Sequence, residues 1–140
     1  MEFTDIDMCF ACGQKNPIGL KLEFTEEGDY YQTQFIPVDA HQGYTDILHG
    51  GIMSTLMDEI MGRYLYIKEI IALTVELNVR FKKPVKIGQK LIVEGRIVKD
   101  RGRLIEMKGV ARLEDGIVVA EATGKFIRLL TTAKSLDNGF

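Results

Sequence analysis

The chain has 140 residues, of which 46% are hydrophobic and 27% are charged. This length supports one hydrophobic core, so we expect residues 1–140 to form a single domain. Its 18 basic and 20 acidic side chains give a net charge of −2, without the basic excess that offsets phosphate charge in nucleic-acid-binding proteins. No apolar run approaches the roughly 20 residues that span a bilayer, and the acidic N-terminus is unlike a secretory signal. We therefore expect a cytoplasmic protein with no nucleic-acid or membrane partner.

Residues 1–19 are predicted to form an irregular arm or a short helix, and they contain the two cysteines, Cys9 and Cys12. A zinc site would need two further ligands, and the only histidines are His41 and His49. A redox dithiol would sit in a strand–helix context, whereas turn residues follow here. We interpret the cysteines as small structural side chains and expect no bound metal.

The next segments change their hydrophobic period along the chain. Residues 20–27 and Tyr30–Phe35 alternate apolar and polar side chains, which predicts a β-hairpin. Residues 37–50 show no period and are predicted to be a loop. From Gly51 to about Ile67, apolar residues recur every three or four positions on more than one side, which is typical of a largely enclosed helix.

The remainder of the chain is strand-like, with tight turns between its segments. The predicted strands are Leu73–Phe81, Lys90–Val98, Arg103–Leu113 and Ile117–Leu129, and a polar tail at 130–140 is expected to fray. One helix cannot cover both faces of such a sheet. We therefore predict an α+β fold in which a curved antiparallel sheet of about five to six strands wraps around one long central helix. Its exposed edge strands predict a homo-oligomer.

The start of the predicted helix is the first candidate for chemistry, because His49, Gly50 and Gly51 precede its apolar pattern. Glycines let backbone N–H groups approach a ligand closely, and the first N–H groups of a helix lack an intrahelical acceptor. Together with the helix dipole they can receive an anion or a developing oxyanion. The alternative is that the glycines only turn the chain between packed elements.

A stripe of small and polar residues along the helix is the second candidate. Its members, spaced by four, three and four, are Gly51, Thr55, Asp58 and Gly62. A carboxylate on a mostly buried helix is costly unless it is paired or functional. Asp58 is therefore a catalytic carboxylate, a buried acid bonded to a hydroxyl such as that of Ser54 or Thr55, or a residue on the helix surface. Glu59 and Arg63 form an i,i+4 pair of the kind found on a solvated face.

Two other sets of polar residues have competing interpretations. His49 is a candidate general base, but we favour a structural role in which its imidazole fixes the loop by hydrogen bonds. Arg80 and Lys82 share one face of a strand, either as ordinary solvated surface or as a receptor for ligand phosphates beside an apolar tunnel. Neither a G-x-S-x-G nucleophile motif nor a glycine-rich phosphate loop occurs.

These motifs resemble those of the hotdog-fold acyl-CoA thioesterases, in particular the phenylacetate-pathway (PaaI-like) and 4-hydroxybenzoyl-CoA thioesterase-like proteins. Three segments carry the resemblance: residues 9–24 (CFACGQKNPIGLKLEF), 41–59 (HQGYTDILHGGIMSTLMDE) and 75–91 (VELNVRFKKPVKIGQKL). The first resembles the N-terminal signature of one PaaI-like branch. The second resembles the loop and helix of that branch, and the third its first long strand.

The resemblance implies hydrolysis of an acyl-CoA or aryl-CoA thioester to a free acid and CoA, without a cofactor. It places the oxyanion-binding N–H at Gly51, the nucleophile or general base at Asp58, and the residue that orients the attacking water at Gln42. The remaining candidate residues would contact the substrate: Gly50, Thr55, Arg80 and Lys82. Because the active site of relatives lies between two subunits, the resemblance also implies a homodimer or homotetramer.

Other functions remain open at this point. A non-catalytic acyl-CoA or fatty-acyl sensor would use the same tunnel without turnover. A hotdog dehydratase or hydratase would use a histidine near the helix, for which His49 is the candidate. A metal-stabilised interaction module would bind zinc at Cys9 and Cys12. The methionine-rich helix does not predict the acyl group, since thioether side chains adapt to many shapes.

Overall fold

The computed structural model describes residues 5–129. Its elements are β1 (Phe24–Glu27), β2 (Tyr30–Phe35), α1 (Gly50–Ile67), β3 (Ala72–Phe81), β4 (Leu91–Arg101), β5 (Leu104–Leu113) and β6 (Val118–Arg128). The strands form one curved antiparallel sheet in the order β1-β2-β4-β5-β6-β3. The predicted α+β fold is confirmed. Within residues 5–129, no helix is long and apolar enough to cross a membrane.

Helix α1 is enclosed by the sheet, as its apolar pattern predicts. It packs against five of the six strands, β2 to β6. The helix side chains in the core are Met53, Leu56, Met57, Ile60, Met61, Tyr64 and Leu65. They form one cluster with apolar side chains of the sheet, among them Val93, Ile105, Met107 and Phe126. Burial of these side chains supplies the main free energy of folding.

Two paired glycines allow α1 to approach the middle of the sheet. Gly95 on β4 lies directly opposite Gly109 on β5. A Cβ at Gly95 would lie 3.0 Å from the carbonyl oxygen of Ile60, and a Cβ at Gly109 would lie 3.2 Å from Sδ of Met57. A side chain at Gly95 would therefore push the helix backbone away from the sheet, and one at Gly109 would displace the Met57 side chain.

The first predicted strand is shorter in the structure than in the sequence analysis. It was predicted at 20–27, whereas β1 begins at Phe24. The backbone N–H groups of Leu20 and Leu22 donate instead to carbonyl oxygens of the N-terminal arm, at 2.8 and 3.0 Å. Lys21 between them has a positive φ of 52°, which interrupts an extended strand. The arm is irregular from residue 5 to residue 19.

The other boundaries differ little from the prediction. Strand β4 continues to Arg101, so the turn predicted to start at Lys99 begins later and reverses at Gly102, whose φ is 76°. The predicted loop at 37–50 contains a short 3₁₀ helix, Asp39–His41. The expectation of a frayed tail at 130–140 lies outside the described residues.

The sheet has two edges of unequal length. Strand β1 has four residues, whereas β3 has ten. Val75 and Phe81 on β3 are large apolar side chains that are about half exposed. A long edge strand with apolar side chains is a surface that favours pairing with another strand. The edge of β3 is therefore the surface through which the predicted homo-oligomer would form. The oligomer stays a prediction.

The glycine contact predicts a stability difference between two matched variants. Gly95→Ala should lower the free energy of unfolding by about 1–3 kcal/mol, because the added methyl group overpacks the helix–sheet contact. Gly62→Ala is the control: its Cβ would lie 3.5 Å from Phe126, and alanine in a helix gains about 0.5–1 kcal/mol over glycine. Urea unfolding measures both values. Equal unfolding midpoints for the two variants would contradict the close approach.

Candidate active site

The first turn of α1 presents one free backbone amide. His49 is the N-cap residue, and its imidazole Nδ1 accepts a hydrogen bond from the Gly51 N–H at 2.8 Å. The Gly50 N–H, at the first helical position, has no acceptor among residues 5–129. The Gly51 N–H, which was predicted to be the oxyanion donor, is therefore already hydrogen-bonded to His49. The neighbouring Gly50 N–H is not. The free donor at this helix start is Gly50.

The same hydrogen bond fixes the role of His49. A neutral imidazole that accepts at Nδ1 carries its proton on Nε2 and therefore presents a donor to any ligand there. A general base would need an unprotonated nitrogen facing the substrate. The geometry supports the capping role that the sequence analysis favours over catalysis by His49.

Gly50 lines a cavity of about 310 Å³ beside the end of β3. Its apolar lining includes Leu48, Met53, Val85 and Val119. A Cβ at Gly50 would lie 3.5 Å from the ring of Phe81, and Lys82 and Lys83 also line the cavity. The Lys82 ammonium lies 3.1 Å from the Glu121 carboxylate. The cavity therefore has apolar walls and basic side chains, and it lies at the residue that carries the free N–H.

Asp58 lies two turns further along α1 and is half-buried. Its Oδ1 accepts a hydrogen bond from the Thr74 hydroxyl on β3 at 2.7 Å. Both residues line a second cavity of about 230 Å³, to which Gly62 also contributes. Thr74 fixes the orientation of the carboxylate, and no sequence motif pointed to it, since it lies 16 residues away on another element. Asp58 is thus a fixed carboxylate at a cavity.

The structure does not bring Gly50 and Asp58 together within one chain. They are eight residues apart on one helix, which corresponds to about 12 Å along its axis at 1.5 Å per residue. The two cavities share no lining residue. One carbonyl group cannot contact both the amide and the carboxylate of the same chain. A site that uses both groups must therefore take them from two copies.

Two predicted site residues are engaged elsewhere. The side-chain amide of Gln42 donates to the Asp39 carbonyl at 2.8 Å and accepts from the Asp46 N–H at 2.6 Å. It therefore braces its own loop, and the geometry does not support a role in orienting water. The Thr55 hydroxyl donates to the Gly51 carbonyl within α1 at 2.9 Å.

The two basic residues that were predicted to share one face, Arg80 and Lys82, line different cavities in the structure. Lys82 lines the Gly50 cavity, whereas Arg80 lines a different surface depression together with Lys108 and Glu121. The alternation that placed them on one face ends with β3 at Phe81. Lys82 is therefore the one positioned beside the helix start.

The prediction that Glu59 lies on a solvated face is wrong. The Cys9 thiol of the N-terminal arm lies 3.6 Å from its Oε2 and donates to it. Burial raises the pKa of the Glu59 carboxyl group, although the thiols of Cys9 and Cys12 and the nearby Arg63 guanidinium counteract that rise. Burial likewise raises the pKa of the Cys12 thiol. Sequence periodicity missed this contact because the arm covers one side of α1.

Comparison with known proteins identifies the family. Residues 45–120, which include the His49 cap, Asp58 and all of β3, match the family model of the Thioesterase superfamily. The chain belongs to this superfamily. It is 32% identical over 89 residues to acyl-coenzyme A thioesterase THEM4 from Bos taurus, a match that covers 63% of this chain and 36% of that protein. The match thus spans little more than a third of this curated relative.

Solved structures of the thioesterase superfamily show the same fold. The thioesterase superfamily protein RHA08564 superimposes with a TM-score of 0.79 at 23% identity, covering 84% of this chain and 61% of that one. A hypothetical thioesterase from Streptococcus pneumoniae TIGR4, determined with coenzyme A, gives a TM-score of 0.72 at 21% identity and covers 76% and 84%. The expected hotdog fold is confirmed.

The imidazole cap predicts a difference between two substitutions of His49. His49→Ala should lower the free energy of unfolding by about 1 kcal/mol, because the Gly51 N–H loses its acceptor. His49→Asn should retain most of the stability, since asparagine is among the best N-cap residues. Chemical denaturation monitored by circular dichroism measures both. An alanine variant as stable as the wild type would show that the hydrogen bond contributes nothing.

Proposed function

We propose that this protein hydrolyses acyl-CoA or aryl-CoA thioesters at a site shared by two copies of the chain. In each site the Gly50 amide of one copy polarises the thioester carbonyl, and Asp58 of the other copy acts on its carbonyl carbon. The free amide at the start of an enclosed helix is the observation that carries this proposal. Membership of the thioesterase superfamily and the fold shared with a coenzyme A-bound neighbour support it.

The chemistry requires only the groups described. As the tetrahedral intermediate forms, negative charge develops on the carbonyl oxygen, and the Gly50 N–H and the helix dipole stabilise it. One such donor contributes about 3 kcal/mol at the transition state. Asp58 either attacks the carbonyl carbon, giving an anhydride that water then cleaves, or removes a proton from the attacking water. Either route yields the free acid and the thiol of CoA.

Strand β3 connects the two halves of the proposed site. Thr74, near its start, contacts Asp58, whereas Phe81, at its end, lies beside Gly50. If the β3 strands of two copies pair antiparallel about their middle, near Leu77, the start of one strand lies beside the end of the other. The Asp58 side of one copy then faces the Gly50 side of the second. This pairing would also cover the long exposed edge.

The basic side chains beside Gly50 suit the phosphates of a CoA ester. Lys82 and Lys83 line the cavity at the helix start, and an ammonium group is a mobile point charge for phosphate oxygens. We therefore propose that Lys82 binds substrate phosphate, in place of its exposed ion pair with Glu121, which is worth little in water. Arg80, on the neighbouring depression, contributes less.

The carboxylate role predicts a large loss of turnover in Asp58→Asn. We expect kcat to fall at least ~100-fold, the effect typical of losing a general base. The asparagine oxygen can still accept from Thr74, so the fold is kept. Thiol release from a panel of acyl- and aryl-CoA esters measures the rate. Glu27→Gln, a carboxylate-to-amide change on β1 at the opposite edge, is the control and should leave kcat unchanged.

The amide role predicts that Gly50→Pro inactivates and Gly50→Ala does not. Proline removes the N–H but is favoured at the first helical position, and the extended His49 backbone (ψ 132°) suits a following proline. We expect kcat to fall about 100- to 1000-fold in Gly50→Pro. Alanine keeps the N–H and makes only an ordinary contact with Phe81. Equal activity of the two variants would exclude Gly50 as the donor.

The ester panel also decides whether the protein is an enzyme. Thiol release that depends on Asp58 supports hydrolysis and begins to identify the acyl group. If no ester is hydrolysed while acyl-CoA binding persists, the proposal is contradicted and a non-catalytic acyl-CoA-binding protein is favoured.

A further inference from the structure

The N-terminal arm and α1 bring three metal-ligating side chains together next to the Asp58 cavity. They are Cys9, Cys12 and Glu59, and one ligand atom from each lies within 4.8 Å of the other two. Both cysteines are free thiols, and Cys12 is buried. From the sequence alone, the histidines are the candidates for the further ligands of a zinc site. In the structure the third candidate ligand is a helix carboxylate, 47 residues beyond Cys12 in the sequence.

The spacing of these atoms fits tetrahedral coordination. With Zn–S bonds of about 2.3 Å and Zn–O bonds of about 2.1 Å, the sulfur–oxygen edge of a tetrahedron is about 3.6 Å. The Cys9 sulfur and the Glu59 oxygen lie 3.6 Å apart. The Cys12 sulfur lies within 4.8 Å of the other two ligand atoms. A sulfur–sulfur edge of a zinc tetrahedron is about 3.8 Å, and rotation of the side chains can close this difference.

The backbone around the cysteines forms a tight loop that directs both sulfurs to the same place. The Cys12 N–H donates to the Cys9 sulfur at 3.4 Å, and the Gly13 N–H donates to the Cys9 carbonyl at 2.8 Å. A Cβ at Gly13 would lie 2.4 Å from the backbone of Asp7 and of Cys9, so only glycine fits. The loop thus holds Cys9 and Cys12 close together and next to Glu59 of α1.

The charges around the cluster balance with a divalent cation present. Two thiolates and one carboxylate carry three negative charges, and a Zn²⁺ ion leaves one. Arg63, one turn beyond Glu59, supplies the compensating positive charge. Its guanidinium lies 4.8 Å from the ring centre of Tyr66, and its Nε is buried without a hydrogen-bond partner in the described part of the chain. This half-buried cation, whose charge acts on the Glu59 carboxyl group, offsets the remaining charge of a metal cluster.

We propose that Cys9, Cys12 and Glu59 bind one zinc ion, with a water molecule from the adjoining cavity as the fourth ligand. Each thiol releases its proton to solvent on binding, and no electron is transferred. Thiolate ligands favour zinc over magnesium or calcium. The ion fastens the arm to α1 at the residue next to Asp58. This revises the expectation of no metal, and it does not depend on the proposed hydrolysis.

The histidines considered in the sequence analysis take no part in this site. The Nδ1 of His41 accepts from the Val38 N–H at 2.9 Å, and that of His49 caps α1. Neither imidazole belongs to the group of ligand atoms formed by Cys9, Cys12 and Glu59. The cluster binds the ion through side chains of the arm and of α1 alone.

Metal content of the full-length protein tests this proposal. Reduced wild-type protein, incubated with zinc chloride and then freed of excess metal, should retain one zinc per chain by mass spectrometry. Cys9→Ser and Cys12→Ser should lose it, and Glu59→Gln should release it faster to a chelator. Asp58→Asn, which changes the adjacent carboxylate, is the matched control and should retain zinc even if it abolishes turnover. Zinc retention unaffected by the cysteine substitutions overturns the proposal.

A cobalt measurement keeps the test valid if a cysteine variant folds poorly. Wild-type protein loaded with Co²⁺ should show the intense visible bands of tetrahedral cobalt and thiolate charge-transfer absorption. A chelator should remove these bands and lower the melting temperature of the metal-loaded wild type. Cobalt spectra without thiolate charge transfer, or wild-type protein that retains no zinc, overturn the proposal.

Discussion

The close contact between α1 and the paired glycines of β4 and β5 determines where the candidate functional groups of this protein lie. With Gly95 against the Ile60 carbonyl, the helix is held against the sheet and its apolar side chains are enclosed. The candidate functional groups of α1 then lie at two places, the first turn and the side that faces the arm and β3. The Gly50 amide lies at the first place, and Asp58 and Glu59 lie at the second.

This arrangement separates the two groups of the proposed thioesterase site. A rigid helix keeps Gly50 and Asp58 about 12 Å apart, and strand β3 carries a contact to each at its opposite ends. The long exposed edge and the incomplete site are therefore two consequences of one topology. Pairing of two β3 edges would cover the exposed edge and complete the proposed site. The proposed activity therefore depends on dimer formation. The N-terminal arm also contacts α1 next to Asp58, through the hydrogen bond from the Cys9 thiol to Glu59.

Hydrophobic periodicity predicted the fold well, because helix and strand periods follow directly from side-chain burial. It also identified Asp58 as an unusual carboxylate on an enclosed helix. Three features depend on contacts between distant segments, and hydrophobic periodicity could not predict them. Thr74 reaches Asp58 from another strand, Glu59 is covered by the arm, and the free amide is Gly50 because the His49 side chain turns onto Gly51. Local patterns contain no information on such contacts.

The most direct test of the shared site is to mix two inactive variants. Asp58→Asn and Gly50→Pro are expected to be inactive alone, since each removes one group from every site. In a mixed dimer, Asp58 of the Gly50→Pro chain meets Gly50 of the Asp58→Asn chain, which restores one intact site. We predict that co-refolding the two variants recovers thioester hydrolysis well above either parent. Mixed dimers that form without any recovered activity would contradict a site built from two copies.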